Sequence, residues 1–172
     1  MIITGGIYKG RKIIAPNEKI TRPTLSKTRM GVFNSLYSII GDFKDKSFLD
    51  LFGGSGIMGI EALSRGFSKV TVCEINKIAA SIIKKNYESL NITPDLHIID
   101  SKKFVLNLNE NYDVVYIDPP YQSGIYEGIL KSIKGKIIVV EHDKNTKLEE
   151  YNIIKQKNYG GKIITFINQF QA

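Results

Sequence analysis

An acid, two prolines and an aromatic ring, Asp118-Pro119-Pro120-Tyr121, stand directly after an apolar run, Tyr112 to Ile117. Each proline fixes φ and lacks an N–H. The loop they form is therefore rich in acceptors, chiefly the Asp118 carboxylate and the Pro119 carbonyl. Such a loop suits a planar base that carries an exocyclic amine. The lone pair of that amine is delocalised into the ring, which makes it a poor nucleophile. Acceptors that hold both N–H groups favour the pyramidal geometry and the positive charge that develops on attack. Tyr121 adds an aromatic face, and stacking on a base is worth about 1–3 kcal/mol. The loop by itself admits adenine, cytosine or guanine.

A second constellation lies upstream. Asp50-Leu51-Phe52-Gly53-Gly54-Ser55-Gly56 reads as the end of a strand, a glycine-rich turn and the start of a helix. Glycines let backbone approach a ligand closely, and a helix N-terminus presents unpaired N–H groups. Gly54, Gly56 and Gly59 also satisfy the Gly-x-Gly-x-x-Gly pattern, so the turn does not separate a nicotinamide dinucleotide from S-adenosylmethionine. Glu74, followed by Ile75, lies 20 residues after Gly54. That is where an acid accepting hydrogen bonds from ribose hydroxyls belongs; the alternative is a cap on the helix that follows.

These residues need a scaffold, and the pattern from Ser47 onward supplies one. Apolar strands at 47–51, 69–74, 96–100, 112–117 and 136–141 alternate with helices at about 58–65, 77–90, 104–108 and 125–133. Two further strands, 152–159 and 162–167, meet at Gly160-Gly161 as an antiparallel pair. Alternation of this kind predicts the α/β class, a parallel sheet covered on both faces. Ligands bind beyond the carboxyl ends of such strands. Asp50, Glu74, Asp100 and Asp118 each terminate an apolar strand and are expected to converge on one edge.

Ahead of the sheet, residues 1–15 read as a β-hairpin turning at Tyr8-Lys9-Gly10-Arg11, and residues 21–24 as an extended connector. A helix follows from Ser26 to Ile40, with Met30, Phe33, Asn34, Leu36 and Tyr37 on one face. The organisation expected is one domain over 1–172: hairpin and connector at 1–25, leading helix and linker at 26–46, and catalytic fold at 47–172. The hairpin and connector read as preceding the catalytic fold without being part of it.

Composition agrees with a polyanionic partner. The 172 residues carry a formal charge of +7, and neutralised phosphates release counterions. Tyr8, Lys9, Arg11, Lys12, Arg22, Lys27 and Arg29 cluster in the leading segment as candidate contacts to such a polyanion, the alternative being a solvated basic face; under the resemblance given next, that polyanion is RNA. Cys73 is the one cysteine and sits in an apolar run, so no internal disulfide forms. His97 and His142 lack ligand spacing, so no metal site is expected. No segment has the length of a signal peptide or membrane span. A cytoplasmic monomer is the expectation.

Asp118-Pro119-Pro120-Tyr121 resembles the signature of amino-methyltransferases. The stretch Asp50 to Gly66 is similar to the corresponding part of the RsmD-type 16S ribosomal RNA guanine-N2 methyltransferases. So are Gly5-Gly6-Ile7-Tyr8-Lys9-Gly10-Arg11-Lys12, Arg22-Pro23-Thr24 and, nine residues later, Phe33-Asn34. The resemblance covers nearly the whole chain. It implies a class I methyltransferase fold of seven strands, mostly parallel, with the last antiparallel. It implies S-adenosylmethionine held by Asp50, Phe52, Gly53, Gly54, Ser55, Gly56, Glu74 and Ile75, with Asp100 and Ser101 near the adenine and Asp118 bordering the same site. Asp118 to Tyr121 would receive a guanine of ribosomal RNA in a small subunit or assembly intermediate. After Arg29 the family usually has an acid, where this chain has Met30 and Gly31.

Rival readings are a DNA adenine-N6 or cytosine-N4 amino-methyltransferase, a non-catalytic RNA-binding module on the same fold, and a nicotinamide oxidoreductase. Duplex DNA readout commonly needs a separate recognition region, and about 46 residues precede the first strand. A module without chemistry, or an oxidoreductase, leaves the proline loop unexplained.

Overall fold

The apolar runs become the strands of one seven-stranded sheet with the order β3-β2-β1-β4-β5-β7-β6. The computed structural model describes residues 1–17, 24–120 and 124–169. Its elements are α1 (Ser26–Ile40), β1 (Ser47–Asp50), α2 (Ile57–Ser64), β2 (Lys69–Cys73), α3 (Lys77–Glu88), β3 (Asp95–His97) and α4 (Ser101–Leu106). They continue as β4 (Tyr112–Ile117), α5 (Ile125–Leu130), β5 (Gly135–His142), β6 (Ile153–Tyr159) and β7 (Lys162–Asn168). Strands β3, β2, β1, β4 and β5 run parallel. β7 is antiparallel to β5 and to β6. The chain leaves β1 toward β2 and later returns to β4 on its other side. The switch point is therefore between β1 and β4, where ligands gather in sheets of this kind.

Side chains alternate across each central strand. Phe48, Val114, Tyr116, Ile137 and Val139 enter the core on one face, with residues of α1, α2 and α3. Leu49, Val115, Ile117, Ile138 and Val140 enter the core on the other, with residues of α4 and α5. Burying each such side chain contributes about 1.5–3 kcal/mol. Phe33 of α1 stacks on Phe48, ring centroids 5.9 Å apart, which seats the leading helix on the sheet. Cys73 is an ordinary core residue, and burial pushes its thiol pKa up.

Several expected boundaries shift. β3 ends at His97, because Asp100 turns out of the strand and caps α4, accepting from the Lys103 N–H at 3.1 Å. α4 accordingly begins at Ser101, and α5 ends at Leu130. The buried face of α1 consists of Thr28, Arg29, Val32, Phe33, Ser35 and Leu36, whereas Met30 and Tyr37 are exposed. The apolar stripe misplaced that face by one residue because it could not count a buried arginine as a core position.

The leading segment forms the expected pairing, reduced to a single bridge between Ile2 and Lys12. It is also part of the catalytic fold, contrary to its sequence reading. Ile3 and Ile13 are buried in the same core as α1 to α3. Asn86 of α3 takes the Ile14 N–H and donates to both the Ile14 carbonyl and the Ser55 carbonyl, at 2.8, 2.9 and 2.9 Å. Glu61 of α2 accepts from the Thr4 N–H and hydroxyl at 2.7 and 2.8 Å.

Candidate active site

The carboxyl ends of β2, β1 and β4 lie side by side and carry Glu74, Asp50 and Asp118. Asp50 is buried; its Oδ1 accepts from the Phe52 N–H at 3.2 Å and its Oδ2 has no hydrogen-bond partner. Burial, opposed by the Phe52 bond and reinforced by the negative fields of Asp118 and Glu74, pushes its pKa up to about 7. The glycine turn that follows is clamped against β2. The Gly53 N–H donates to the Cys73 carbonyl at 2.8 Å. A Cβ on Gly53 would lie 2.5 Å from a Val72 methyl, so only glycine fits. Gly56 caps α2 at φ 79°, a left-handed conformation that glycine adopts freely. The Ser55 hydroxyl accepts from the Ile57 N–H at 3.3 Å.

Glu74 closes this turn from the next strand. Its two oxygens accept from the Gly54 and Asn76 N–H groups at 2.8 and 2.7 Å. Asn76, not Glu74, caps α3, accepting from the N–H groups of Ile78 and Ala79. Ile75 beside them is exposed. Ser101 is buried just after Asp100. Asp50, Phe52 to Gly56, Glu74 and Ile75 thus surround one turn, with Asp100 and Ser101 at the start of α4.

The proline loop leaves β4 with Asp118 half-buried, Pro119 buried and Pro120 exposed. Tyr121 lies outside the described residues, as does Arg22. Asp118 faces a residue that the motifs did not single out. Lys162, first residue of β7, places its Nζ 3.4 Å from both Asp118 oxygens. The same ammonium forms an ion pair with Glu141, whose other oxygen accepts from the Tyr116 hydroxyl. Glu141 is buried, near the carboxyl end of β5. It is a further strand-end acid, and that position was the signal that could have found it. Nothing local marked Lys162.

A cavity of about 560 Å³ opens beside this pair, between the start of α1 and the β6–β7 turn. Thr24, Lys27, Thr28, Tyr159, Glu141 and Lys162 are among the residues lining it.

The basic leading residues divide. Lys9, Arg11, Lys12 and Lys27 are exposed, and Tyr8 is half-buried. Arg11 also reaches the Ser89 carbonyl at 3.1 Å. Arg29 corrects the expectation of a surface cation. Only 1% exposed, its guanidinium bonds Glu61, the Thr24 and Ile2 carbonyls and the Ser26 hydroxyl. Arg65 binds the other Glu61 oxygen at 2.7 Å. A guanidinium so enclosed holds segments together and does not reach a phosphate. Where the family usually has an acid, Met30 is exposed and Gly31 lies against the hydroxyl end of Tyr159. Among the described residues no cluster suits a metal ion, and no helix is long and apolar enough to cross a membrane.

The family model described as conserved hypothetical protein 95 matches residues 1–168. The ribosomal RNA small subunit methyltransferase D of Buchnera aphidicola is 36% identical, over 99% of this chain and 90% of its own length. The protein of that name from Haemophilus influenzae is 30% identical, over 92% of this chain and 88% of its own. A solved hypothetical protein of Thermus thermophilus shares the fold at TM-score 0.83 and 23% identity, covering 98% of this chain and 99% of that one. From residue 1 to residue 168, then, the chain belongs to the family of the ribosomal RNA small subunit methyltransferase D proteins.

Proposed function

We propose that the chain transfers a methyl group from S-adenosylmethionine to the exocyclic N2 amine of a guanine in small-subunit ribosomal RNA. The substrate is a small ribosomal subunit or one of its assembly intermediates. The observation that carries the reading is the row Glu74, Asp50 and Asp118 at the switch point, with the buried Oδ2 of Asp50 unpartnered. A buried acceptor without a donor is costly, and a cationic or donor group of a ligand is its complement. Bound S-adenosylmethionine supplies a methyl group on a positively charged sulfur, and carries an ammonium and a ribose besides. Asp50 meets the donor side of that molecule. Glu74 keeps lone pairs for the ribose hydroxyls beyond the two it gives to backbone. Phe52, the turn Gly53 to Gly56, and Ile75 wall the site, with Asp100 and Ser101 toward the adenine.

Asp118 and the Pro119 carbonyl accept the amine hydrogens and stabilise the charge that grows on nitrogen as the methyl arrives. Pro120 keeps that loop rigid, and Tyr121 stacks on the base. The methylated amine is cationic and strongly acidic, so Asp118 or water takes its proton without a tuned base. The base leaves its stack to reach the loop, at a cost of a few kcal/mol in a duplex and less in a hairpin loop. Lys9, Arg11, Lys12, Lys27 and Arg22, with Tyr8 among them, position the RNA by its phosphates.

Two measurements test this. Calorimetry should detect S-adenosylhomocysteine and not NAD; the reverse would overturn the cofactor reading. Undermethylated small subunits incubated with labelled cofactor should yield label in N2-methylguanosine. Label in N6-methyladenosine or N4-methylcytidine, with none in N2-methylguanosine, would overturn the guanine reading.

A further inference from the structure

The acceptor loop does not by itself distinguish guanine from adenine or cytosine. We propose that Lys162 takes part in the distinction beside Asp118, by donating to guanine O6 at the cavity between α1 and the β6–β7 turn. The inference rests on the reading of Asp118 as the acceptor of the target amine.

Lys162 is not a roaming surface lysine. It follows the turn Gly160-Gly161, both at positive φ, and its side chain is only 18% exposed. Glu141 holds it from below. A buried carboxylate is strongly destabilising without a partner, so the Glu141–Lys162 pair fixes the ammonium in place. The contact with Asp118 is looser, 3.4 Å to each oxygen, against about 2.7–2.9 Å for a well-formed charge-assisted bond. Lys162 therefore stands as a donor beside the Asp118 acceptor, and Lys162 itself lines a cavity of about 560 Å³. That volume falls within the usual range of small-molecule pockets, about 300–1,000 Å³.

The edges of the bases decide what exchanges best with that contact. Guanine presents, in order, the N2 amine, the N1 hydrogen and the O6 acceptor. Its two donors occupy Asp118, and O6 takes the proton that Lys162 had shared with Asp118. Adenine presents an amine, the N1 acceptor and a C–H, so N1 would face the carboxylate unpaired and Lys162 would meet no acceptor. Cytosine presents an amine followed by two acceptors, with the same conflict at N3. Tyr159 lines the cavity with an aromatic ring, and exposed Lys27 lies at its edge for a phosphate.

The test compares guanine with 2-aminopurine at the mapped target position of otherwise identical undermethylated small subunits. 2-Aminopurine keeps the amine but lacks O6 and the N1 hydrogen. The wild-type chain should prefer guanine by about 10–100-fold in kcat/KM, the usual worth of a paired base edge. Lys162→Met should lose the O6 share of that factor on guanine, about tenfold, and change the 2-aminopurine rate less than about twofold. Lys162→Arg, which keeps charge and donors, should retain most of the preference. Equal losses of Lys162→Met on both bases would make Lys162 a support for the fold and overturn the proposal. So would a wild-type chain indifferent to the two bases, or Arg and Met variants that behave alike. If Lys162→Met fails to fold, the wild-type preference and the Arg variant still decide. Full activity of Asp118→Ala would instead defeat the underlying reading of the acceptor loop.

Discussion

The two halves of the sheet's carboxyl edge hold their acids by different means. On the β1–β2–β3 side the partners are backbone N–H groups. Asp50 takes Phe52, Glu74 takes Gly54 and Asn76, and Asp100 takes Lys103. On the β4–β5 side, Asp118 and Glu141 share a side-chain ammonium, and Tyr116 adds a hydroxyl. Backbone donors present the same surface whatever the neighbouring side chains, which would suit the cofactor that the proposed function places on this half. Side-chain donors can be exchanged one at a time, which would suit the half that the proposed function gives to the choice of base.

The largest effect expected from this comparison concerns Asp50. Its folded pKa, about 7, lies above its ordinary 3.8. Between those values the unfolded chain is ionised and the folded chain protonated, so ionisation opposes folding. Stability from this group should fall as pH rises from about 4 to about 7 and then level off. The shift corresponds to at most about 4 kcal/mol. Denaturant midpoints at pH 4.5 and 7.5 should show the slope, and Asp50→Asn should flatten it. An unchanged slope would mean that Asp50 is satisfied like the other acids of its half. Next, Asp118→Ala should lower kcat by about 10²–10³-fold while S-adenosylhomocysteine affinity stays within about twofold. A parallel loss of affinity, read by calorimetry, would erase the distinction between the halves. Glu74→Ala should do the opposite, weakening S-adenosylhomocysteine about tenfold or more, about 1.4 kcal/mol. Unchanged affinity in the folded variant would remove the ribose assignment. Smallest is Lys12→Ala on the basic leading segment. It should lower the slope of log affinity for small-subunit RNA against log salt by about 1; an unaltered slope would exclude that residue from the RNA face.

The same contrast sets what the sequence made legible. Asp50, the glycine turn and Glu74 are tied by short-range backbone geometry, so their spacing announced them. α1 and β4 fell at their expected bounds because their signals are local runs. Asp100 was read as the last residue of a strand because Ile98-Ile99 look apolar. β3 is an edge strand and ends early, and the capping role of an acid before Ser101 prevails. Lys162 stands 44 residues beyond Asp118, on a hairpin whose turn was legible but whose alignment against β5 no local pattern specifies. Arg29 looked like surface charge because its carboxylate, Glu61, is 32 residues away on another helix. Long-range pairings of charge are set by tertiary packing, and a run of basic residues carries no mark of which member will be enclosed.

The leading segment has a consequence in time as well as in space. Thr4, Tyr8, Arg11 and Ile14 are bonded to Glu61, Ser64, Ser89 and Asn86, between 56 and 78 residues downstream. On the ribosome these first residues are made before any of their partners exist. At about 5–20 residues per second, several seconds pass before α3 can receive them. This segment, made before its partners, is thus among the last parts to settle, and a nascent chain stalled before residue 86 would leave the Ile14 N–H and carbonyl without the Asn86 side chain.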